Sequence, residues 1–364
     1  MVTAAHTLSY YAFERRLWHQ FKDKLKGGEI DLVHRITPLS PTTPSLLAKW
    51  CHRINVPFLL GPLNGGLPWP RAFNQRRHAE HEWLSYLRAA HRLMPGYRAT
   101  RKYAKAILIG SEQTWKQLPA RYQKKAEYVP ENGIDPVRLT KYRTHQATRP
   151  IRCAFVGRLV PYKGVDMLLE AALPLVQQGV LTLDIIGDGP ERANLIERLR
   201  QAGDPGGVRM LGWIDQRSVS EHLCRCDVLA FPSIREFGGA VVLEAMAVGL
   251  VPVVVNYGGP GELVQEHNGY RLPLSHRSGL TQQLRATLGA LATQPETIEK
   301  KSAAARDRAF RHFTWQAKAG QVRRIYDWVL GRATKPNFPM PIADEEPGDR
   351  ALHPQPHLNV TARP

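Results

Sequence analysis

The chain has 364 residues, 43% of them hydrophobic, which is long for one domain and rich enough for packed cores, so a disordered chain is excluded. Its formal net charge of +18 favours anionic partners: nucleic acid, anionic lipid or phosphorylated ligands. No uninterrupted apolar run of about 18 residues is present to span a bilayer, and Cys51, Cys153, Cys224 and Cys226 fit neither a disulfide framework nor a zinc spacing.

The opening residues, MVTAAHTLSYYAFERRLWHQ, form a polar, helix-like segment without the apolar core and cleavage site of a signal peptide. With unpaired cysteines, this leads us to expect a cytoplasmic protein with reduced thiols. Short apolar runs ending in turn residues then read as buried parallel strands. In the first half they are Ile30–Ile36, Val56–Gly61, Ala104–Ser111 and Ala126–Pro130. Between the second and third lies Arg71–Lys105, where basic residues alternate with Trp83, Tyr86, Leu87, Tyr97 and Tyr103. That composition suits a helix on an anionic membrane surface, or a helical pair with a solvated basic face.

The polar stretch Lys141–Ile151 reads as a boundary between domain 1–146 and domain 147–330. Strands are expected at Ile151–Arg158, Leu181–Gly189, Val208–Trp213, Asp227–Ser233 and Val251–Val255. Helical patterns lie between them: Gly164–Gly179, Pro190–Gly203, Ser218–Cys226 and Gly239–Gly249. A helix over Thr314–Gly331 closes the second domain, and the Pro-rich tail 335–364 reads as disordered. Strand and helix in alternation imply α/β architecture, two doubly wound parallel sheets. The first half opens without the usual strand and Gly-rich turn, so its domain is expected to be incomplete.

The chemistry concentrates in the second half. In GRLVPYKG, Arg158 and Lys163 follow a strand end, and Gly164 precedes a helix N-terminus, a setting for an anion such as a diphosphate. IIGDGPE is another strand-to-helix turn, and Gly212 and Trp213 end the next strand. In SIREFGGAVVLEAMAVG, Glu236 falls in a loop, Gly238 and Gly239 permit close approach, and Glu244 sits in the first turns of a helix. A carboxylate there suits vicinal hydroxyls such as those of a ribose. In the first half, His34 and Asn64 fall at predicted strand ends, with Gly65 and Gly66 beside Asn64. His34 is either a substrate contact or a histidine capping its strand.

These motifs, with LGW and YGGPGELV, resemble in order and spacing the donor domain of retaining GT-B glycosyltransferases, glycosyltransferase family 4. The resemblance runs from Ile151 to roughly Tyr326, about half the chain. It implies two Rossmann-like domains, the N-terminal one lacking roughly a hundred residues, about half a doubly wound domain. It implies transfer of a sugar from a nucleotide-diphosphate sugar to an acceptor hydroxyl of a glycan or glycolipid, with retention and without cofactor or metal. Arg158 and Lys163 would bind the diphosphate beside Gly157 and Gly164. Glu236 would touch the transferred sugar, Glu244 the ribose, and Gly238 and Gly239 would offer backbone N–H groups. Glu262 would lie near the donor. Where relatives carry a histidine, this chain has Asn64, on the acceptor side with His34, Gly65 and Gly66. Cations would take phosphate while the carboxylates, set apart, hold neutral hydroxyls.

A peripheral site on the inner face of the cell membrane follows from the basic, aromatic-laced stretch. Rival readings are a GT-B phosphorylase or epimerase, a non-catalytic fragment that binds nucleotide sugar, and a nucleic-acid-binding protein. No zinc finger, helix-turn-helix or RNA-binding signature supports the last, so nucleic acid is not an expected partner.

Overall fold

The computed structural model describes residues 2–73, 93–139 and 141–338. Most of the basic, aromatic-laced stretch and most of the tail thus lie outside the described residues.

Among the described residues, ten strands form two parallel sheets. The first has the order β1-β2-β3-β4, from Val33–Arg35, Phe58–Leu63, Ala106–Ile109 and Ala126–Tyr128. The second has the order β10-β9-β8-β5-β6-β7. Its strands are β5 (Ile151–Val156), β6 (Leu181–Ile186), β7 (Val208–Gly212), β8 (Val228–Phe231), β9 (Val251–Val255) and β10 (Tyr270–Leu272). The nine expected strands are all present, each inside or overlapping its sequence range. The tenth, β10, was not expected: of its three residues only Leu272 is buried, so it carries no apolar run.

The helices of the first half are α1 (Val2–Lys26), α2 (Leu47–Arg53), α3 (Tyr97–Tyr103), α4 (Glu112–Gln117) and α5 (Ala120–Gln123). Those of the second are α6 (Val165–Gln177), α7 (Arg192–Gln201), α8 (Gln216–Leu223), α9 (Ala240–Ala247), α10 (Gly258–Leu263), α11 (Arg277–Thr293) and α12 (Glu296–His312), followed by α13 (Trp315–Val329). The polar opening segment is α1. It is held by Glu14, whose carboxylate accepts from Ser45 Oγ (2.5 Å) and Leu46 N (2.6 Å) at the start of α2.

Successive residues of a strand face opposite sides, and the first sheet uses both. Phe58, Leu60, Ile107 and Ile109 pack with Leu47 and Cys51 of α2 and Tyr122 of α5. Their neighbours Leu59, Ala106 and Leu108 pack with Val129 and with Ile325 of α13. The helix expected to close the second domain therefore covers the first sheet. Its apolar stripe predicts a helix, but the bare second face of β2 and β3 decides where it docks. The start of the tail follows it: Lys335 pairs with Glu127 (3.0 Å), and Phe338 packs against the same face. Residues 335–338, the start of the stretch expected to be disordered, are thus packed on the first sheet.

The chain crosses between domains at two adjacent points. Ile134 N donates to Phe313 O (2.8 Å) and Trp315 N to Ile134 O (3.1 Å). The expected linker, 141–151, lies past this crossing and is packed on the second domain. Arg143 there reaches Asp227 (3.4 Å) and Glu299 (2.9 Å), and His145 reaches Asp227 (2.8 Å). Two of its polar residues, Arg143 and His145, are thus partners of a buried carboxylate.

Candidate functional site

In an open parallel sheet, ligands bind beyond the carboxyl ends of the strands. At that edge of the second sheet, β5 ends at Val156 and is followed by Gly157 and Arg158. Arg158 is exposed and makes no ion pair or side-chain hydrogen bond among the described residues. The chain then makes a short turn through Lys163 and enters α6 at Gly164, whose φ is 71°. A Cβ on Gly164 would sit 2.5 Å from Pro232 O, so only glycine lets α6 start this close to the end of β8.

Lys163 and Glu236 form an ion pair, with side chains 15% and 22% exposed. The ammonium also lies 4.8 Å from the Phe231 ring centre. Cation and carboxylate were expected to stand apart, one for phosphate and one for hydroxyls. They meet because Glu236 follows β8, the strand paired with β5. The Glu236 loop rests on α10, where Gly259 N donates to Glu236 O (3.1 Å).

Gly238 faces the interdomain crossing. A Cβ there would lie 2.0 Å from Asn132 Nδ2 and 2.6 Å from Glu131 Oε1. Its small size is thus used by the protein itself, as the seat of the Glu131–Asn132 turn. Gly239 caps the N-terminus of α9. Glu244 on that helix is half-buried and accepts from Gln216 Nε2 (2.9 Å); burial raises its pKa. Gly212 ends β7, and Trp213 beside it is 77% exposed.

Across the cleft, Asn64 ends near the C-terminal end of β2. Its Nδ2 donates to Glu131 Oε1 (2.5 Å) and approaches Phe237 O, in the loop after β8 (3.5 Å). Gly65 N and Ser111 Oγ donate to its Oδ1, and Gln117 Nε2 donates to Gly66 O. His34 points elsewhere. Its Nε2 donates to Gly61 O (2.7 Å), so in the neutral ring Nδ1 accepts from Tyr326 Oη of α13 (2.8 Å). Burial lowers its pKa. This arrangement is that of a histidine tying β1 to β2 and α13.

Glu262, expected near the donor, bridges the domains. Its carboxylate accepts from Glu112 N (3.0 Å) and Tyr128 Oη (3.1 Å), and burial pushes its pKa up to about 8. A carboxyl whose folded pKa is raised stabilises the fold at low pH, and this contribution is lost as pH rises from 4.5 through about 8. Replacing Glu262 with Gln is expected to flatten the fall in melting temperature across that window, read by thermal melts at successive pH values.

Sequence reasoning missed Glu131, which contacts both sides of the cleft. Its Oε2 is buried without a hydrogen-bond partner, and burial raises its pKa against the nearby Lys318 ammonium. Lys318 itself is pushed down to about 8 by burial and donates to Pro130 O. The available signal was the stretch PENG, a carboxylate in an Asn-Gly turn directly after β4. Gln216 and Arg235 were also missed. Arg235 Nε donates to Leu67 O (3.4 Å) and Tyr257 Oη to Pro68 O (2.6 Å), so segment 67–68 straps the cleft.

Residues 141–285 match the family profile described as glycosyl transferases group 1. A glycogen synthase of Mycobacterium tuberculosis is 31% identical over 225 residues, 61% of this chain and 53% of the relative. A phosphatidyl-myo-inositol mannosyltransferase of Propionibacterium freudenreichii subsp. shermanii is 30% identical over 243 residues, 65% of this chain and 55% of the relative. The chain spans about half the length of these curated relatives. Among solved structures, a sucrose-phosphate synthase from Thermosynechococcus elongatus superposes with a TM-score of 0.60 at 18% identity, over 89% of this chain and 79% of that one. Anabaena HepE in complex with UDP and glucose gives 0.56 at 18% identity, over 84% and 80%. By its fold, then, the chain is a GT-B protein of two Rossmann-like domains, and its residues 141–285 carry the glycosyl transferases group 1 pattern.

Proposed function

We propose that this protein transfers a sugar from a nucleotide-diphosphate sugar to an acceptor hydroxyl, with retention of the anomeric configuration. The observation that carries the reading is the meeting of Lys163 and Glu236 beyond the carboxyl ends of β5 and β8, the edge that also carries Arg158, unpaired among the described residues. Departure of the diphosphate is the difficult step. Arg158, Lys163 and the N-terminus of α6 offset its growing negative charge, so the reaction needs no metal. Donor binding exchanges partners: Lys163 turns to phosphate, and the freed Glu236 carboxylate accepts from sugar hydroxyls. Glu244, which accepts from Gln216 in this structure, turns to the ribose hydroxyls. Backbone N–H groups at Gly238 and Gly239 face the same donor. The names of the relatives, a glycogen synthase and a phosphatidyl-myo-inositol mannosyltransferase, support a glycan or glycolipid acceptor.

The same proposal places the enzyme in the cytoplasm, peripheral on the inner face of the membrane. No described helix is long and apolar enough to cross a membrane. The test is calorimetric titration with UDP and with GDP. One of them binds the intact protein, and Glu244→Ala weakens that binding at least tenfold, the scale of about 1.4 kcal/mol for one lost charge-assisted hydrogen bond. Absence of binding by both nucleotides rejects the reading.

A further inference from the structure

The first sheet presents a second chemical feature, on the face away from α13. Helices α2, α3 and α5 lie there and enclose a depression of about 490 Å³. Lys49, Arg98, Lys102 and Arg121 line it, one or two from each helix, together with Tyr103 and Tyr122. The four cations are exposed, and among the described residues none makes a side-chain hydrogen bond or ion pair. Lys102 lies 5.2 Å from the Tyr103 ring centre and Arg121 4.9 Å from that of Tyr122.

No carboxylate is supplied by the elements that build this wall. Segments 32–73, 93–111 and 113–126 contain neither Asp nor Glu. A fifth cation stands behind the floor: Lys125 Nζ is 5.5 Å from the Tyr122 ring centre and is tied to Lys102 O and Ala104 O. Its pKa is lowered by burial and by Lys105. Like charges gathered around one cavity repel unless an anion joins them. Two guanidinium forks and two ammonium groups match a phosphate better than a single carboxylate. The volume falls in the usual range of roughly 300–1,000 Å³ for small-ligand sites.

We propose that the depression between α2, α3 and α5 is a binding site for a phosphate-bearing ligand, the size of a sugar phosphate or a phospholipid headgroup. It is separate from the interdomain cleft and does not depend on the transfer reaction. Two sources share this chemistry, and two probes separate them: inorganic pyrophosphate by calorimetry, and vesicles of phosphatidylglycerol against phosphatidylcholine by co-sedimentation. The double variant Lys102→Glu/Arg121→Glu removes the site, and Arg158→Ala/Lys163→Ala removes the cleft cations instead. The milder Lys49→Gln/Arg98→Gln pair decides should the first fail to fold. The expected result is binding of at least one probe that rising salt weakens, that falls at least tenfold in the helix-face variant and that persists in the cleft variant. Loss confined to pyrophosphate marks a soluble phosphate ester, and loss confined to anionic vesicles marks a headgroup. Binding of neither probe by the intact protein, or binding that only the cleft variant loses, overturns the proposal.

Discussion

Replacing Lys163 with alanine is expected to lower sugar transfer by about 10²–10³-fold, the usual cost of removing one preorganised group that meets developing negative charge. The assay is release of nucleoside diphosphate from whichever donor the nucleotide titration selects. The melting temperature should fall only modestly, because the Lys163–Glu236 pair lies at the edge of the cleft, 15% and 22% exposed, where water can reach the carboxylate left behind. Glu236→Gln separates the two halves of the pair. It frees Lys163 from its resting partner, so binding of the nucleoside diphosphate alone should hold or tighten. Transfer should still fall, since the acceptor of the sugar hydroxyls has lost its charge. A Lys163→Ala variant that transfers at the normal rate would remove Lys163 from the reaction.

The largest expected loss of stability lies far from the cleft. Arg143→Ala should destabilise the second domain by about 3 kcal/mol, the low end for breaking a buried pair, because the buried Asp227 carboxylate loses its guanidinium while keeping His145 and the Arg152 N–H. The Arg143 and Asp227 side chains are 2% and 1% exposed. Asp227 also accepts from Arg152 N (2.8 Å) at the start of β5, so the cluster fastens segment 141–149 to the sheet. Denaturant unfolding, followed through the transition of the second domain, measures the cost. Lys141→Ala provides the contrast. Its pair with Glu221 is exposed, at 68% and 41%, and solvent screening leaves such a pair little effect on stability. Equal effects of the two substitutions would contradict the buried-cluster account.

Arg143 also shows where sequence reading stopped. A polar stretch ending in Pro150 has the composition of a linker, and composition does not distinguish a solvated arginine from one folded onto a carboxylate eighty-four positions away. The same limit applies to α13. Its apolar spacing fixed a helix, but the sheet it covers is set by the unpaired face of β2 and β3. Strands were legible because a parallel strand is buried on both sides and shows as a continuous apolar run; β9, with all five residues buried, is the clearest. β10 lacked that run.

Of the site, the glycine turns and Lys163, Glu236 and Glu244 stood out because they bracket strand ends. Glu131 did not, since its place depends on Asn64 and Gly238, neither near it in sequence. Glu262 was picked out by its glycine turn, but its partners Glu112 and Tyr128 belong to the other domain.

The two adjacent crossings at Ile134 and Thr314 have a mechanical consequence. Two covalent connections fixed side by side behave as a pivot rather than a tether: they resist sliding and twisting, and swinging about one axis is opposed by the contacts across the cleft, such as Arg235 on Leu67 O and Glu262 on Glu112 N. Gly133 lies against this axis, where an added Cβ would meet the Trp315 ring at 2.9 Å. Such a swing changes the gap between Asn64 and Phe237 while the backbone bonds at Ile134 stay closed. The width of the cleft is thus one angular coordinate, which a donor seated on the second domain and an acceptor seated on the first would have to agree upon.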